Sequence, residues 1–285
     1  MPRRIAFINE KGGSGKTTLV AHLGYHFAAE RGLRTLVIDM DPQGQLGKTL
    51  GIDVHAATRS SLDLLLDATL PQGSAAAALD EPCDRLPRLA TRIPGLDIIV
   101  SNKSLALFPA WRGSDPETDP SGLLAARLAS APELEAYDFV LFDAPPSFGP
   151  LTLNVLRASS EVLVPVPLTY LALDGCAELM RTLDTLRRRH PEARLPVSLV
   201  VPTFYRRTRM AREILESLER RFPSELSKNV VGFTVKIDEA QSRGLTIFET
   251  APRNKCAHTL AAIGDELLQR GGAPQPEVNR SDATP

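Results

Sequence analysis

The sequence predicts an α/β fold with a doubly wound, mainly parallel sheet and helices on both faces. Short apolar runs alternate with stretches of helical periodicity along most of the 285 residues. The apolar runs are continuous and do not alternate with polar residues, which favours strands that are covered on both faces. Strands that alternate with helices in this way are joined by right-handed crossovers, so a parallel sheet is expected.

The elements follow from the two periodicities. Seven apolar runs are predicted to be strands, at residues 5–8, 35–38, 96–100, 139–142, 162–166, 197–201 and 230–233. Five stretches are predicted to be helices, at residues 17–30, 150–158, 171–189, 208–221 and 257–270. Residues 1–270 are therefore expected to form a single domain. The proline-rich segment 109–122 is predicted to be a surface loop, and the polar segment 271–285 a disordered tail.

Composition excludes several classes of protein. With 33 lysines and arginines against 34 aspartates and glutamates, the formal net charge is −1, which excludes a uniform polycation. The three cysteines, Cys83, Cys176 and Cys256, are widely spaced and form no CxxC pair, so neither a disulfide framework nor a zinc ribbon is expected. No apolar stretch is long enough to cross a bilayer. These observations predict a cytoplasmic protein.

The near-zero net charge hides a strong polarity along the chain. Residues 176–221 contain eleven arginines and six acidic residues, whereas residues 50–140 contain seven basic and thirteen acidic residues. A basic cluster of this kind predicts a local surface for a polyanion, because partners respond to the distribution of charge. A solvated helix face balanced by glutamates is the alternative interpretation, and it is favoured for residues 187–189.

The most informative segment is a glycine-rich loop between the first strand and the first helix. Glycines let consecutive backbone N–H groups point at phosphate oxygens, Lys16 can reach the β- and γ-phosphates, and the Thr17 hydroxyl can join a magnesium shell. Glu10 stands where the usual GxxxxGK[ST] pattern has its first glycine. A glycine-rich turn without a ligand is the alternative. The predicted nucleotide-binding residues are Lys11, Gly12, Gly13, Ser14, Gly15, Lys16, Thr17 and Thr18.

Acidic residues follow two of the predicted strands. Asp143 comes directly after residues 139–142, where a carboxylate would orient magnesium, and Asp39 and Asp41 close the strand at 35–38. Carboxylates two residues apart near a phosphate loop could position a metal-bound or attacking water. Their alternative role is turn formation, since Asp-Pro favours turns.

Five blocks of sequence resemble the ParA/MinD family of deviant Walker A ATPases, in the same order and spacing. They are KGGSGKTT (11–18), IDMDPQG (38–44), LDIIVSN (96–102), FVLFDAPPS (139–147) and VPVPLTYLALDG (164–175). The resemblance implies the P-loop NTPase fold, ATP and Mg²⁺ as cofactors, and an ATP-sandwich homodimer. It implies catalytic roles for Lys11, which would reach the partner's nucleotide, for Lys16, and for Asp41, which would orient the hydrolytic water. The implied metal residues are Thr17, Asp39 and Asp143.

The DPQG and DAPPS blocks are similar to the DNA-partitioning branch of that family. This resemblance implies slow, partner-stimulated ATP hydrolysis, binding to nonspecific double-stranded DNA, and a ParB-like or cargo-adaptor partner. The expected DNA contacts are Arg207, Arg209 and Lys236. A protein that binds DNA in this way is expected in the cytoplasm, associated with the nucleoid. The tail has no amphipathic basic helix, so no membrane partner is expected.

Some features leave alternatives open. The family block that resembles PRNVRLSEA is replaced by residues 232–240, so the adenine-contacting residues are not predicted. A related ATPase that positions a non-DNA cargo is the second hypothesis. A metabolic ATP-dependent ligase of the same fold, such as dethiobiotin synthetase, is the third, and an assembly scaffold controlled by nucleotide is the fourth.

Overall fold

A seven-stranded sheet forms the centre of the molecule in a computed structural model. The structure describes residues 1–67, 85–108, 120–170, 172–191 and 194–271. The strand order is β3-β4-β2-β5-β1-β6-β7, and all neighbours are parallel except β3 and β4. The predicted mainly parallel sheet is thereby confirmed. The strands are β1 Arg3–Phe7, β2 Thr35–Asp39, β3 Leu89–Ala90, β4 Leu96–Ile99, β5 Phe139–Asp143, β6 Glu161–Pro167 and β7 Val197–Thr203.

Ten α-helices in the described ranges surround the sheet. α1 continues into a π-helical turn at His26–Glu30, and all five predicted helices are present. The helices are α1 Lys16–Tyr25, α2 Gln45–Thr49, α3 Ser61–Asp67, α4 Leu123–Ala129, α5 Pro150–Ala158, α6 Ala172–Arg189, α7 Arg209–Arg221, α8 Val235–Gln241, α9 Ile247–Thr250 and α10 Lys255–Arg270.

The sheet has a separate apolar core on each face. Ile5 and Phe7 of β1 face the core that contains α1 and α10, whereas Ala6 between them faces the core that contains α5, α6 and α7. Because side chains alternate across a strand, a continuously apolar strand buries residues on both sides. The helices on both faces confirm the doubly wound prediction.

One predicted strand is wrong. Residues 230–233 form only a single bridge, between Tyr205 and Gly232, and are not part of the sheet. Their hydrogen bonds run along one side of the segment: Val231 N donates to Pro202 O at 2.9 Å, and Phe233 N donates to Tyr205 O at 3.1 Å. The apolar segment therefore covers the outer edge of the end of β7 and of the residues that follow it. A covered edge cannot pair with another chain, which protects against aggregation. Six further elements were not predicted from the sequence: α2, α3, α4, α8, α9 and the antiparallel β3.

The predicted loop and tail lie outside the described residues, apart from residues 120–122 and Gly271. Residues 120–122 form a 3-10 turn before α4. The prediction of one domain over residues 1–270 stays a prediction. Within the described ranges, no helix is long and apolar enough to span a bilayer.

A buried histidine holds α1 against α9. The ring of His22 is fully buried; its Nδ1 donates to Thr18 O at 2.6 Å, and its Nε2 accepts from Ile247 N at 3.1 Å. A neutral ring satisfies both contacts. Burial lowers the pKa of His22 to about 4, although the Thr18 carbonyl and Glu249 oppose that shift.

Replacing His22 with glutamine should remove a pH-dependent component of stability. Since an unfolded histidine has a pKa near 6.5, the unfolded chain binds the extra proton first as the pH falls. The contribution is therefore present above pH 6.5 and is lost between pH 6.5 and 4, by about 3 kcal/mol. Urea unfolding from pH 7 to 4 should show this loss as the difference between the two chains. If the stabilities of the unmodified protein and His22→Gln changed in parallel with pH, His22 would not be the source of the loss. The buried Asp39 and Asp143 have raised pKa values and the opposite effect on stability, but both proteins contain them, so their effect cancels in the difference.

Candidate functional site

The candidate site lies at the carboxyl ends of the central strands, where ligands bind in doubly wound sheets. A cavity of about 240 Å³ opens there, between the glycine-rich loop and the segments that follow β2, β5 and β7. It is lined by residues 12–18 together with Asp41, Gln43, Gln45, Pro146 and Phe204. The structure therefore brings together the phosphate loop and one of the predicted acidic residues around a single cavity.

The loop conformation depends on glycine at two positions. Gly13 and Gly15 have φ values of 68° and 94°, in the left-handed region that side chains disfavour. Two polar side chains, neither predicted from the sequence, fix the loop. Asn9 donates from Nδ2 to Pro165 O at 2.7 Å and accepts from Lys11 N, whereas Thr203 donates from Oγ1 to Ser14 O at 2.9 Å. The loop is thus anchored to β6 and β7.

Lys16 is buried beneath the loop, only 6% exposed. Its Nζ donates to Asn9 O at 3.1 Å and to Lys11 O at 3.4 Å. Burial lowers the pKa of the Lys16 ammonium, while the nearby carboxylates Asp143 and Asp41 oppose the shift. The ammonium is held in place by backbone carbonyls at the base of the cavity.

Thr17 and Asp143 are placed together by strand register. The Thr17 hydroxyl donates to Asp143 Oδ2 at 2.6 Å. The other carboxylate oxygen, Oδ1, is buried and accepts no hydrogen bond within the described part of the chain. Burial raises the pKa of Asp143, and the Thr17 hydroxyl and Lys16 oppose this. A buried carboxylate oxygen without a partner beside a threonine hydroxyl fits a magnesium ion, which prefers oxygen ligands.

Asp39 is fully buried next to Asp143 in the sheet register. Its Oδ1 accepts from Asp41 N at 3.0 Å, and its Oδ2 accepts from Leu46 N at 3.1 Å. Burial, followed by the Asp143 charge, raises the pKa of Asp39 well above its ordinary value. Both oxygens are used to shape the turn after β2, and the predicted role of Asp39 in a metal's water shell stays a prediction.

Asp41 is half-buried and lines the cavity. It accepts from Gln43 N at 3.0 Å, so it does take part in the turn that was the alternative interpretation. The turn continues into Gly44, whose φ is 60° and where an added Cβ would lie 2.6 Å from Ser101 O. Asp41 thus has a structural contact and also faces the cavity. In the described residues no three His, Cys, Asp or Glu side chains converge on one metal position, so phosphate or water oxygens would have to complete a magnesium shell.

The side chain of Lys11 does not line the cavity. Instead its stem lies over the start of α6, where a Cβ added to Gly175 would be 3.5 Å from Lys11 Cε. Burial lowers the pKa of Lys11, and the charge of Asp174 opposes the shift. Lys11 therefore lies at the rim of the site, with its stem over the start of α6.

A second, apolar cavity of about 70 Å³ adjoins the phosphate loop at Gly15 and Thr18. Phe204, which has a φ of 55°, and Phe233 line it. Gln241 of α8 donates to the Thr18 hydroxyl at 3.2 Å and so ties this wall to the loop. None of the three residues was predicted from the sequence to line the site, because the apolar run at 230–233 resembled a strand and Phe204 lies outside the blocks that resemble the family.

The three expected DNA contacts lie on one exposed surface. The bridge between Tyr205 and Gly232 brings Arg207 and Arg209 near the start of α8, where Lys236 lies. Arg209 pairs with Glu213 at 2.7 Å and Lys236 with Glu239 at 2.7 Å; the four side chains are at least half exposed. Exposed ion pairs contribute at most about 1 kcal/mol, so a polyanion can displace them.

Comparison with known proteins identifies relatives across nearly the whole chain. The AAA_31 family model, described as an AAA domain, matches residues 2–195. The chain is 35% identical to the chromosome-partitioning ATPase Soj of Thermus thermophilus, over 94% of this chain and 96% of that protein. It is 32% identical to the cell division protein PomZ of Myxococcus xanthus, over 94% and 78% of the two chains.

A solved structure of cobyrinic acid a,c-diamide synthase from Mycobacterium smegmatis, with bound ADP and magnesium, superposes with a TM-score of 0.74. It is 27% identical and the match covers 98% of this chain and 100% of that one. The predicted P-loop fold is confirmed, and ATP with Mg²⁺ is confirmed as the cofactor pair expected of such relatives. The phosphate loop, the strand-end aspartates and these relatives agree: the chain belongs to the ParA/MinD family of deviant Walker A ATPases.

Proposed function

We propose that this chain is a ParA-like ATPase that forms an ATP-dependent homodimer, binds nonspecific double-stranded DNA and drives partition of a chromosome or plasmid. Two relatives named as chromosome-partitioning proteins are at least 30% identical over most of the chain, and the block KGGSGKTT is present at residues 11–18. In the cell the dimer would lie on the nucleoid. A ParB-like or cargo-adaptor protein would stimulate its slow ATP hydrolysis and so release it from DNA.

The position of Lys11 carries the proposal of a dimer. Lys16 lies at the base of its own cavity, whereas Lys11 lies at the rim over Gly175. A cation at the rim can reach a nucleotide held by a second copy that faces the same opening. ATP would then favour the dimer, because a ligand shifts an equilibrium only when it binds one state more tightly.

The residues around the cavity have distinct roles in the proposed hydrolysis. Loop N–H groups and Lys16 would bind the phosphates, and the base would enter the apolar cavity beyond Gly15. Thr17 and Asp143 would hold magnesium, with Asp39 supporting its waters, and the bound ion would neutralise charge on the phosphates. Asp41, which lines the cavity, would orient the attacking water.

The exposed surface with Arg207, Arg209 and Lys236 would contact DNA phosphates. Such contacts give binding that is independent of sequence and falls steeply with salt. Two copies placed side by side by ATP would double the number of contacts. DNA affinity is therefore expected to depend on nucleotide.

The test is DNA binding by the unmodified protein with and without a slowly hydrolysed ATP analogue, across a salt series. The analogue is expected to raise affinity for random-sequence duplex DNA by at least about tenfold, with a salt slope of roughly −0.9 for each phosphate contacted. Light scattering should show a dimer only with the analogue. An unchanged DNA affinity would refute the partition proposal.

A non-DNA cargo is the second candidate, and the similarity to the cell division protein PomZ favours it. Both candidates share the ATPase cycle and differ in the adaptor that stimulates hydrolysis. The similarity to cobyrinic acid a,c-diamide synthase makes a ligase the third candidate. The sequence identity to that protein, 27%, is lower than the 35% identity to the chromosome-partitioning ATPase Soj. A ligase would show no DNA affinity in either nucleotide state.

A further inference from the structure

Arg206 differs from the other cations on the basic surface. Its guanidinium carbon lies 4.1 Å from the centre of the Phe233 ring. Within the described ranges no carboxylate pairs with Arg206 or Arg207, whereas Arg209 and Lys236 are paired with Glu213 and Glu239, and only Arg206 of these four cations lies over an aromatic ring. A guanidinium on an aromatic face keeps its hydrogen-bond donors available, and these suit the bidentate geometry of a phosphate.

The residue whose ring lies beneath Arg206 also borders the apolar cavity. Phe233 is 46% exposed, and it is among the residues that line the cavity together with Phe204, Gly15 and Thr18. One aromatic residue therefore borders both the surface cation and the space next to the phosphate loop. Backbone bonds from Tyr205 N to Val231 O and from Phe233 N to Tyr205 O hold the two segments together.

The cavity is narrow for a nucleotide base as it stands. Its volume is about 70 Å³, whereas pockets for drug-sized ligands begin near roughly 300 Å³. A base that enters would press on the walls, of which Phe204 and Phe233 are the exposed aromatic residues. Movement of Phe233 alters the support of the Arg206 guanidinium directly.

We propose that Arg206 is a DNA-phosphate contact whose position is set by nucleotide, with Phe233 linking the base in the apolar cavity to the guanidinium. The proposal rests on nucleotide-dependent DNA binding, as proposed above, and adds the route by which the base acts on the surface. DNA is favoured as the partner because residues 204–212 contain four arginines and no acidic residue. Holding a long side chain in its binding position reduces the entropy lost when it meets a phosphate.

The experiment compares Arg206→Ala, Phe233→Leu and the double variant with the unmodified protein. Leucine keeps an apolar cavity wall but removes the aromatic face. Arg188→Ala is the matched control, since Arg188 is an exposed arginine on α6, away from the basic surface. For each protein, the affinity for the ATP analogue, the mass of the dimer and the affinity for a random-sequence duplex are measured across a salt series, with and without the analogue.

Arg206→Ala and Phe233→Leu should each weaken DNA binding about five- to tenfold with the analogue bound, and by less than about twofold without it. Arg206→Ala should reduce the magnitude of the salt slope by about one for each copy in contact. The double variant should be no weaker than Arg206→Ala, because both changes remove the same contact. Analogue affinity and dimer mass should stay unchanged in Arg206→Ala, and the DNA affinity of Phe233→Leu is compared at saturating analogue. Arg188→Ala should match the unmodified protein in every measurement.

Three results would overturn the inference while leaving the proposed function intact. They are a normal DNA affinity in Arg206→Ala, an equal loss with and without the analogue, and losses in the two variants that add in full. If the unmodified protein itself shows no nucleotide-dependent DNA affinity, the proposed function fails as well. Binding to vesicles that contain anionic lipid is measured as well, because the exposed Phe233 and Val235 lie beside cations. Nucleotide-dependent binding to vesicles but not to DNA would also overturn the inference about Arg206.

Discussion

Replacing Lys16 with alanine is expected to abolish ATP-dependent DNA binding and to lower ATP hydrolysis at least about a hundredfold. The Lys16 ammonium is the buried cation nearest to the phosphate loop in the described residues, and two backbone carbonyls already hold it in place. Its loss leaves the loop N–H groups without the charge that balances the β- and γ-phosphates. Titration with a fluorescent ATP analogue and a DNA-binding assay measure the two effects.

Lys255→Ala is the control for Lys16→Ala. Lys255 is an exposed lysine at the start of α10, outside both cavities, so the same change in net charge should leave ATP and DNA binding within about twofold of the unmodified protein. Circular dichroism and urea unfolding establish that Lys16→Ala still folds. If folded Lys16→Ala hydrolyses ATP normally, the assignment of this loop as the phosphate site is wrong.

Replacing Asp41 with alanine is expected to have the opposite effect on DNA. Hydrolysis should fall by about a hundredfold or more, while ATP binding and the dimer persist, so the protein should stay on DNA after ATP is added. The physical reason is that Asp41 lines the phosphate cavity but makes its only described side-chain hydrogen bond to Gln43 N. Removing it takes away the carboxylate that is proposed to orient the attacking water, and it leaves Lys16 and Thr17 in place.

Two further variants separate catalysis from turn formation. Asp41→Asn keeps an acceptor for Gln43 N but loses the negative charge, so it should hydrolyse ATP as slowly as Asp41→Ala. Asp53→Ala is a matched structural control, because Asp53 accepts from His55 N at 2.9 Å in the same kind of turn, away from the cavity. For each variant, the rate of dissociation from labelled DNA is measured after an excess of unlabelled duplex is added. Rapid release of Asp41→Ala would contradict the assigned role.

Much of the fold could be predicted because its signals are local. Strands buried on both faces, such as β1 and β5, are continuously apolar, and the long amphipathic α7 repeats its apolar residues every four positions. Short helices carry little periodic signal, which is why α2 and α8 were missed. The prediction of a strand at residues 230–233 was wrong because apolar composition does not distinguish a strand from a segment that only covers the edge of a sheet.

The phosphate loop could be predicted almost residue by residue, because its glycines and Lys16 are adjacent in the sequence. Asn9, Thr203 and Gln241 could not be predicted, since each side chain hydrogen-bonds to a residue distant in the chain. The sequence also could not place Lys11, whose stem lies over Gly175, more than 160 positions further along. Contacts at that separation depend on how β1 and β6 pair.

The sequence by itself determined that a strand, a glycine-rich loop and a helix would follow one another at residues 3–25, because backbone geometry there depends on adjacent residues. It also determined that the acidic middle and the basic segment 176–221 nearly cancel in net charge. Only the tertiary structure decided that Phe233 lies between an apolar cavity and Arg206. The two residues come from separate segments, and only the pairing of Tyr205 with Gly232 beyond the edge of the sheet brings them together.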